Sequence, residues 1–103
     1  MEGMTLEELL AWANRLGICE FRPSKDVGRE AIVCERGKSR ILLEFGRYTK
    51  RAGNGARFVS VHARVGTSGM TRPCDTLDEA CQAIGIWADR GGLRNDAMQL
   101  SMF

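Results

Sequence analysis

The chain is poor in the side chains that most often carry out chemistry. Among its 103 residues it has one histidine, His62, and one tyrosine, Tyr48. A lone imidazole leaves no His-rich metal cluster to consider. The two prolines, Pro23 and Pro73, are far apart, and no Pro-, Ser- or Gly-rich stretch marks a linker. The length then suits one domain, residues 1–103, with room for a single modest core. No apolar run approaches the roughly 20 residues that span a bilayer. The opening, Met1-Glu-Gly-Met-Thr-Leu-Glu-Glu8, is acidic and helical, whereas a secretory signal begins basic and turns apolar. The expected setting is the cytoplasm, with no membrane partner.

Cysteine is present but without a motif. Cys19, Cys34, Cys74 and Cys81 are separated by 15, 40 and 7 positions, and no C-x-x-C pair occurs. A zinc site needs close-spaced ligand pairs, so no metal and no cofactor is expected. Cys34 and Cys81 fall at apolar-periodic positions, where a free thiol behaves as a small hydrophobe. In a cytosolic chain all four are expected to be reduced, with Cys34 and Cys81 shielded.

What the sequence has is charge of one sign in one place. From Arg36 to Arg64 there are eight basic residues and one acid, Glu44, a net of +7 in a chain whose total is +2. The rest therefore sums to −5, much of it on two acidic helices. The same basic stretch contains the clearest strands, Arg40 to Phe45 and Phe58 to Val65, both rich in β-branched and aromatic residues. In the second, Val59, Val61, Ala63 and Val65 alternate with Phe58, Ser60, His62 and Arg64, so one face is core and the other solvated or in contact with a partner.

Around these strands the order is legible. Thr5 and Glu8 form a capping box ahead of a helical stripe of Leu6, Leu9, Leu10, Ala13 and Leu16, which Gly17 ends. Trp12 lies beside the stripe, in the core or at its rim. Ile18 to Arg22 alternates as a short edge strand, and Pro23 to Gly28 has turn chemistry. Glu30 to Glu35 reads as a strand joined to Arg40–Phe45 by a tight turn through Gly37. Gly46 to Arg57 is a long arm around Gly53-Asn-Gly55, of the kind that is functional or mobile. Gly66 to Gly69 is a turn, and Arg72 to Asp75 leads into a second helix. There Thr76 and Glu79 repeat the capping pattern ahead of Leu77, Ala80, Cys81, Ile84, Trp87 and Ala88. Residues 93–103 form a tail expected to dock. The fold class is α+β: a two-layer sandwich of three to four antiparallel strands, with two helices on one face, in α-β-β-β-α order.

Catalysis finds little support. Ser60 and His62 share a face, and Glu44 is within cross-strand reach of the imidazole, but no oxyanion donors or pocket are marked. No phosphate-cradling G-x-x-x-x-G-K-[ST] loop occurs. Asp75, Asp78 and Glu79 are explained by helix capping and the helix dipole. The helix–three strands–helix order resembles that of double-stranded-RNA-binding domains, which clamp phosphates with a lysine-rich start to the second helix. Here that start is Asp75-Thr-Leu-Asp-Glu79, which repels phosphate and sets the chain apart from that family.

The reading that remains is a non-catalytic binding module. Its expected contacts are Arg40, Arg47, Tyr48, Lys50, Arg51, Arg57, His62 and Arg64, holding a nucleic acid or nucleoprotein by phosphate contacts and ring stacking. The alternative is a protein-docking inhibitor or adaptor, of the type carried by phages and mobile elements, acting on nucleic-acid machinery. Trp12, Tyr48 or Phe58 would anchor it, and its opposed charges would steer docking. The bland reading of the same lysines and arginines is that they keep exposed strands from aggregating. A homodimer through the C-terminal tail is a further expectation.

Overall fold

Two two-residue turns shape the sheet. The computed structural model describes residues 4–25, 30–46 and 58–95. Strands β2 (Ala31–Arg36) and β3 (Ser39–Gly46) are joined through Gly37-Lys38; β4 (Phe58–Val65) and β5 (Ser68–Cys74) are joined through Gly66-Thr67. Gly37 and Gly66 have φ of 59° and 61°. A glycine with positive φ at the first position is what a type II′ hairpin turn requires, and its twist matches the strands. With β1 (Arg22–Pro23) the strands form an antiparallel meander in the order β1-β2-β3-β4-β5.

The fold is thus α+β with five strands, more than the three to four expected. The extra strand is β5. Gly69 and Pro73 break its sequence pattern, but seven consecutive residues pair with β4 all the same. Proline is tolerated because β5 is an edge, where a missing N–H leaves no ladder bond unmade. Pro23 stands in the other edge strand, so the only two prolines of the chain blunt both edges. β1 is shorter than the alternation of Ile18 to Arg22 suggests. Asn14 takes the place of a neighbouring strand: its side chain accepts from Phe21 N at 2.7 Å and donates to Phe21 O at 3.2 Å.

Helix α1 (Leu6–Arg15) begins with the complete capping box, Thr5 N to Glu8 Oε1 at 2.9 Å and Glu8 N to Thr5 Oγ1 at 3.1 Å. The hydrogen bond from the Thr5 amide, followed by that from its hydroxyl, lowers the Glu8 carboxyl below its ordinary value. Helix α2 (Leu77–Gly91) has half of the expected box. Thr76 Oγ1 accepts from Glu79 N at 3.2 Å, while the Glu79 carboxylate takes the Thr76 hydroxyl at 3.4 Å.

Both helices feed one core. Leu9 and Ala13 of α1 and Ala80, Ala83, Ile84, Trp87 and Ala88 of α2 cluster with Ile32, Cys34, Ile41, Leu43, Val59, Val61 and Ala63. Of the apolar positions read from periodicity, Leu9, Val59, Val61, Ile84 and Trp87 are buried together; Leu43 is buried with them and Phe45 packs against the cluster. Trp12 is at the rim, partly buried. Past α2, Leu93 is buried and Asn95 N donates to Ile18 O at 3.0 Å. The start of the tail is therefore docked; residues 96–103, and the dimer contact expected of them, lie outside the described residues. Among the described residues no helix is long and apolar enough to cross a membrane.

The four cysteines are unbridged. Cys19, Cys34 and Cys74 are buried, whereas Cys81, expected to be shielded, is only partly buried. Cys19 and Cys34 act as a pair. The hydrogen bond from Cys19 lowers the Cys34 thiol to about 7, with help from Arg36 and against the effect of burial. The same bond, then burial, raises Cys19.

Leu43→Ala, which empties a fully buried position of the core shared by the sheet and the helices, should cost about 2–5 kcal/mol in denaturant unfolding. Thiolate absorbance should show one group ionising as pH rises through about 7. In Cys19→Ala, which removes the donor, that step should move to higher pH. A step that does not move would rule out the pairing.

Candidate functional site

The antiparallel register writes a grid on the sheet face opposite the shared core. One transverse row runs Glu35, Arg40, Arg64, Gly69 across β2 to β5. The next runs Arg22, Val33, Leu42, His62, Thr71, and the third Ala31, Glu44, Ser60, Pro73. Side chains in a row, or one step along the diagonal, are within reach of each other.

The centre of this face is not polar, as simple alternation suggests. Ala31, Val33 and Leu42 form a second buried cluster, which contains no helical residue. Charges surround it. Glu35 is taken by Arg22, Nη2 to Oε1 at 2.5 Å. Glu44 meets His62, Oε1 to Nε2 at 2.7 Å. On its other side His62 Nδ1 lies 3.0 Å from Thr71 Oγ1. Both acids of the grid are therefore engaged, by Arg22 and His62.

Arg40 and Arg64 are left over. They face each other directly across β3 and β4, both exposed, and neither has an ion-pair partner among the described residues. Like charges directly opposite destabilise a strand pair. The two border a cleft of about 450 Å³ with Leu42, His62, Gly69 and Thr71. Gly69, having no side chain, leaves its position beside Arg64 open. A smaller depression of about 180 Å³ continues the cleft past Arg40 and Leu42 toward Arg22 and Lys25.

No family model, curated protein or solved structure matches this chain. The site is therefore judged on its own chemistry. Two guanidinium forks on either side of a concave surface suit a phosphate or carboxylate, each capable of a bidentate contact. Among the described residues no group of three or more His, Cys, Asp or Glu side chains is placed to hold a metal ion.

Of the residues expected from sequence, Arg40, His62 and Arg64 come together on this face. Arg47, Tyr48, Lys50, Arg51 and Arg57 lie outside the described residues. His62 meets Glu44, as cross-strand reach suggested, and its second partner is Thr71, not Ser60. Thr71 and Gly69 were not expected here, because both lie on the strand that Gly69 and Pro73 conceal. The alternation of Met70 and Arg72 with Gly69, Thr71 and Pro73 was the available signal.

The hydrogen bonds also determine where the imidazole keeps its proton. A carboxylate only accepts, so the neutral ring donates from Nε2 to Glu44 and Nδ1 accepts from the Thr71 hydroxyl. Long-range proton–nitrogen correlation spectra of the neutral ring should show the Nε2–H tautomer. Glu44→Gln, whose amide can either donate or accept, should give a mixture. A dominant Nδ1–H form in the unsubstituted protein would contradict the network.

Proposed function

We propose that this protein is a non-catalytic, cytoplasmic binding module that holds nucleic acid by its phosphates, using the basic outer face of the sheet. The observation that carries this reading is the Arg40–Arg64 pair: adjacent cations bordering one cleft, with both nearby carboxylates already engaged. An anion in the cleft relieves a repulsion that the face alone must carry. Arg47, Tyr48, Lys50, Arg51 and Arg57 join the proposal from their place in the sequence between β3 and β4. In the protein-docking alternative a flat apolar patch ringed by charge would be the contact. The apolar trio of this face is buried, and the only exposed large hydrophobic among the described residues, Ile86, belongs to α2.

The test is a salt titration of binding to mixed DNA and RNA. Replacing Arg40 and Arg64 with Ala should weaken binding similarly for all sequences. The slope of log affinity against log salt should become shallower by about one unit for each phosphate that is no longer held. Stability should change by no more than about 0.5 kcal/mol, since both side chains are exposed. Absence of any DNA or RNA binding at low ionic strength would overturn the reading in favour of a protein partner.

A further inference from the structure

The cleft is local, and that bears on what part of a nucleic acid it takes. Among the described residues, the unpartnered positive charge of its row is Arg40 and Arg64, side by side. The row ends at Glu35 on β2, and Glu44 lies four positions from Arg40 along β3, on the opposite flank of Leu42. A sugar–phosphate backbone running across the face would pass the Arg22–Glu35 pair and the Glu44 carboxylate, where neither Arg22 nor His62 is free to receive it. Arg22 and His62 are committed to Glu35 and Glu44 at 2.5 and 2.7 Å. A chain that ends in the cleft meets the two arginines and need not cross either acid.

Charge matching leads to the same conclusion. An internal phosphodiester carries one negative charge, whereas a terminal phosphomonoester carries about −1.5 to −2 near neutral pH and offers three acceptor oxygens. Two guanidinium groups from facing strands can each take a pair of oxygens from such a group, a geometry in which arginine surpasses lysine. The cleft, open to solvent on one side, has at about 450 Å³ a volume in the range of small-ligand sites. Leu42 and the side-chain-free Gly69 leave room beside the arginines.

We propose that the cleft between Arg40 and Arg64 binds a dianionic phosphomonoester, the terminal phosphate of a nucleic-acid strand. This rests on the nucleic-acid reading above and narrows it, from a surface that tolerates any phosphate to one that prefers a phosphorylated end.

The experiment uses the full chain and two oligonucleotides of one sequence, labelled at the far end, one ending in a phosphate and the other in a hydroxyl. A nucleoside monophosphate and its unphosphorylated nucleoside are measured alongside, at about pH 7.5 so that the monoester is mostly dianionic. The phosphorylated strand should bind about tenfold more tightly, a difference of about 1.4 kcal/mol. Arg40→Gln and Arg64→Gln should each abolish most of that preference. Lys38→Gln, which removes an exposed charge in the β2–β3 turn outside the cleft, should preserve it. Circular dichroism checks that each variant is folded.

Equal binding of both oligonucleotides would overturn the end-reading site while leaving the nucleic-acid reading intact. Binding of the nucleoside monophosphate without either oligonucleotide would mean a small-molecule phosphate site, and would overturn the strand-end source together with the nucleic-acid reading. No binding of any of them would overturn both.

Discussion

Shift β4 by one residue against β3, and Val59, Val61 and Ala63 would leave the core while His62 and Arg64 entered it. Side chains alternate with a period of two, so a single slip exchanges the faces completely. Burial of one parity in a core shared with both helices makes that slip prohibitive, since several large apolar groups would be exposed and two charged or polar ones buried. The eight paired positions of β3 and β4 therefore set more than the sheet. They place Arg40 opposite Arg64 and His62 beside Glu44, and the Gly66-Thr67 turn then brings Thr71 into line. The site on the outer face is held in place by packing on the inner one.

The outer face shows how uneven pairing creates a recognition surface without a large net charge. Arg22, Glu35, Arg40, Glu44 and Arg64 stand with one imidazole in the grid around Leu42. Arg22 neutralises Glu35, His62 occupies an oxygen of Glu44, which keeps its charge, and Arg40 and Arg64 stand as two adjacent guanidinium groups. A surface ion pair such as Arg22–Glu35 contributes little to stability, about 0–1 kcal/mol. The larger effect of the two contacts here is to hold Glu35 and Glu44 on other partners, away from Arg40 and Arg64. Because the groups are exposed, added salt screens the repulsion and any attraction to a ligand alike.

The thiols belong to a different part of the same design. Cys19 precedes β1 and Cys34 lies in β2, on the core side of the sheet. Asn14, which bonds Phe21, and Asn95, whose amide reaches Ile18, bracket the same short connection. Backbone groups that a longer β1 would have satisfied are met instead by one side chain and by the segment after α2. The sheet edge is closed by this arrangement and by Pro23, just as Pro73 closes the opposite edge.

Local chemistry was enough to read α1, the β2–β3 hairpin, β4 and α2. Each carries its own signal: the Thr5–Glu8 box, Gly37 between two apolar runs, strict alternation from Phe58 to Val65, and a helical stripe after Thr76. The core followed from those periodicities, and so did the membership of Arg40, His62 and Arg64 in one surface. β5 was not legible, because Gly69 and Pro73 oppose a strand locally and only seven cross-strand pairings with β4 outweigh them. Pairing is a property of two segments, so one segment's residues cannot announce it. For the same reason the sequence contained no sign that Glu35 is drawn to Arg22, that Thr71 completes the contacts of His62, or that Ala31, Val33 and Leu42 lie buried on the face away from the helices. Which residues are charged was settled by the sequence; which of those charges remain without a partner was decided by the tertiary structure, because neutralisation depends on distances that alternation along a single strand does not specify.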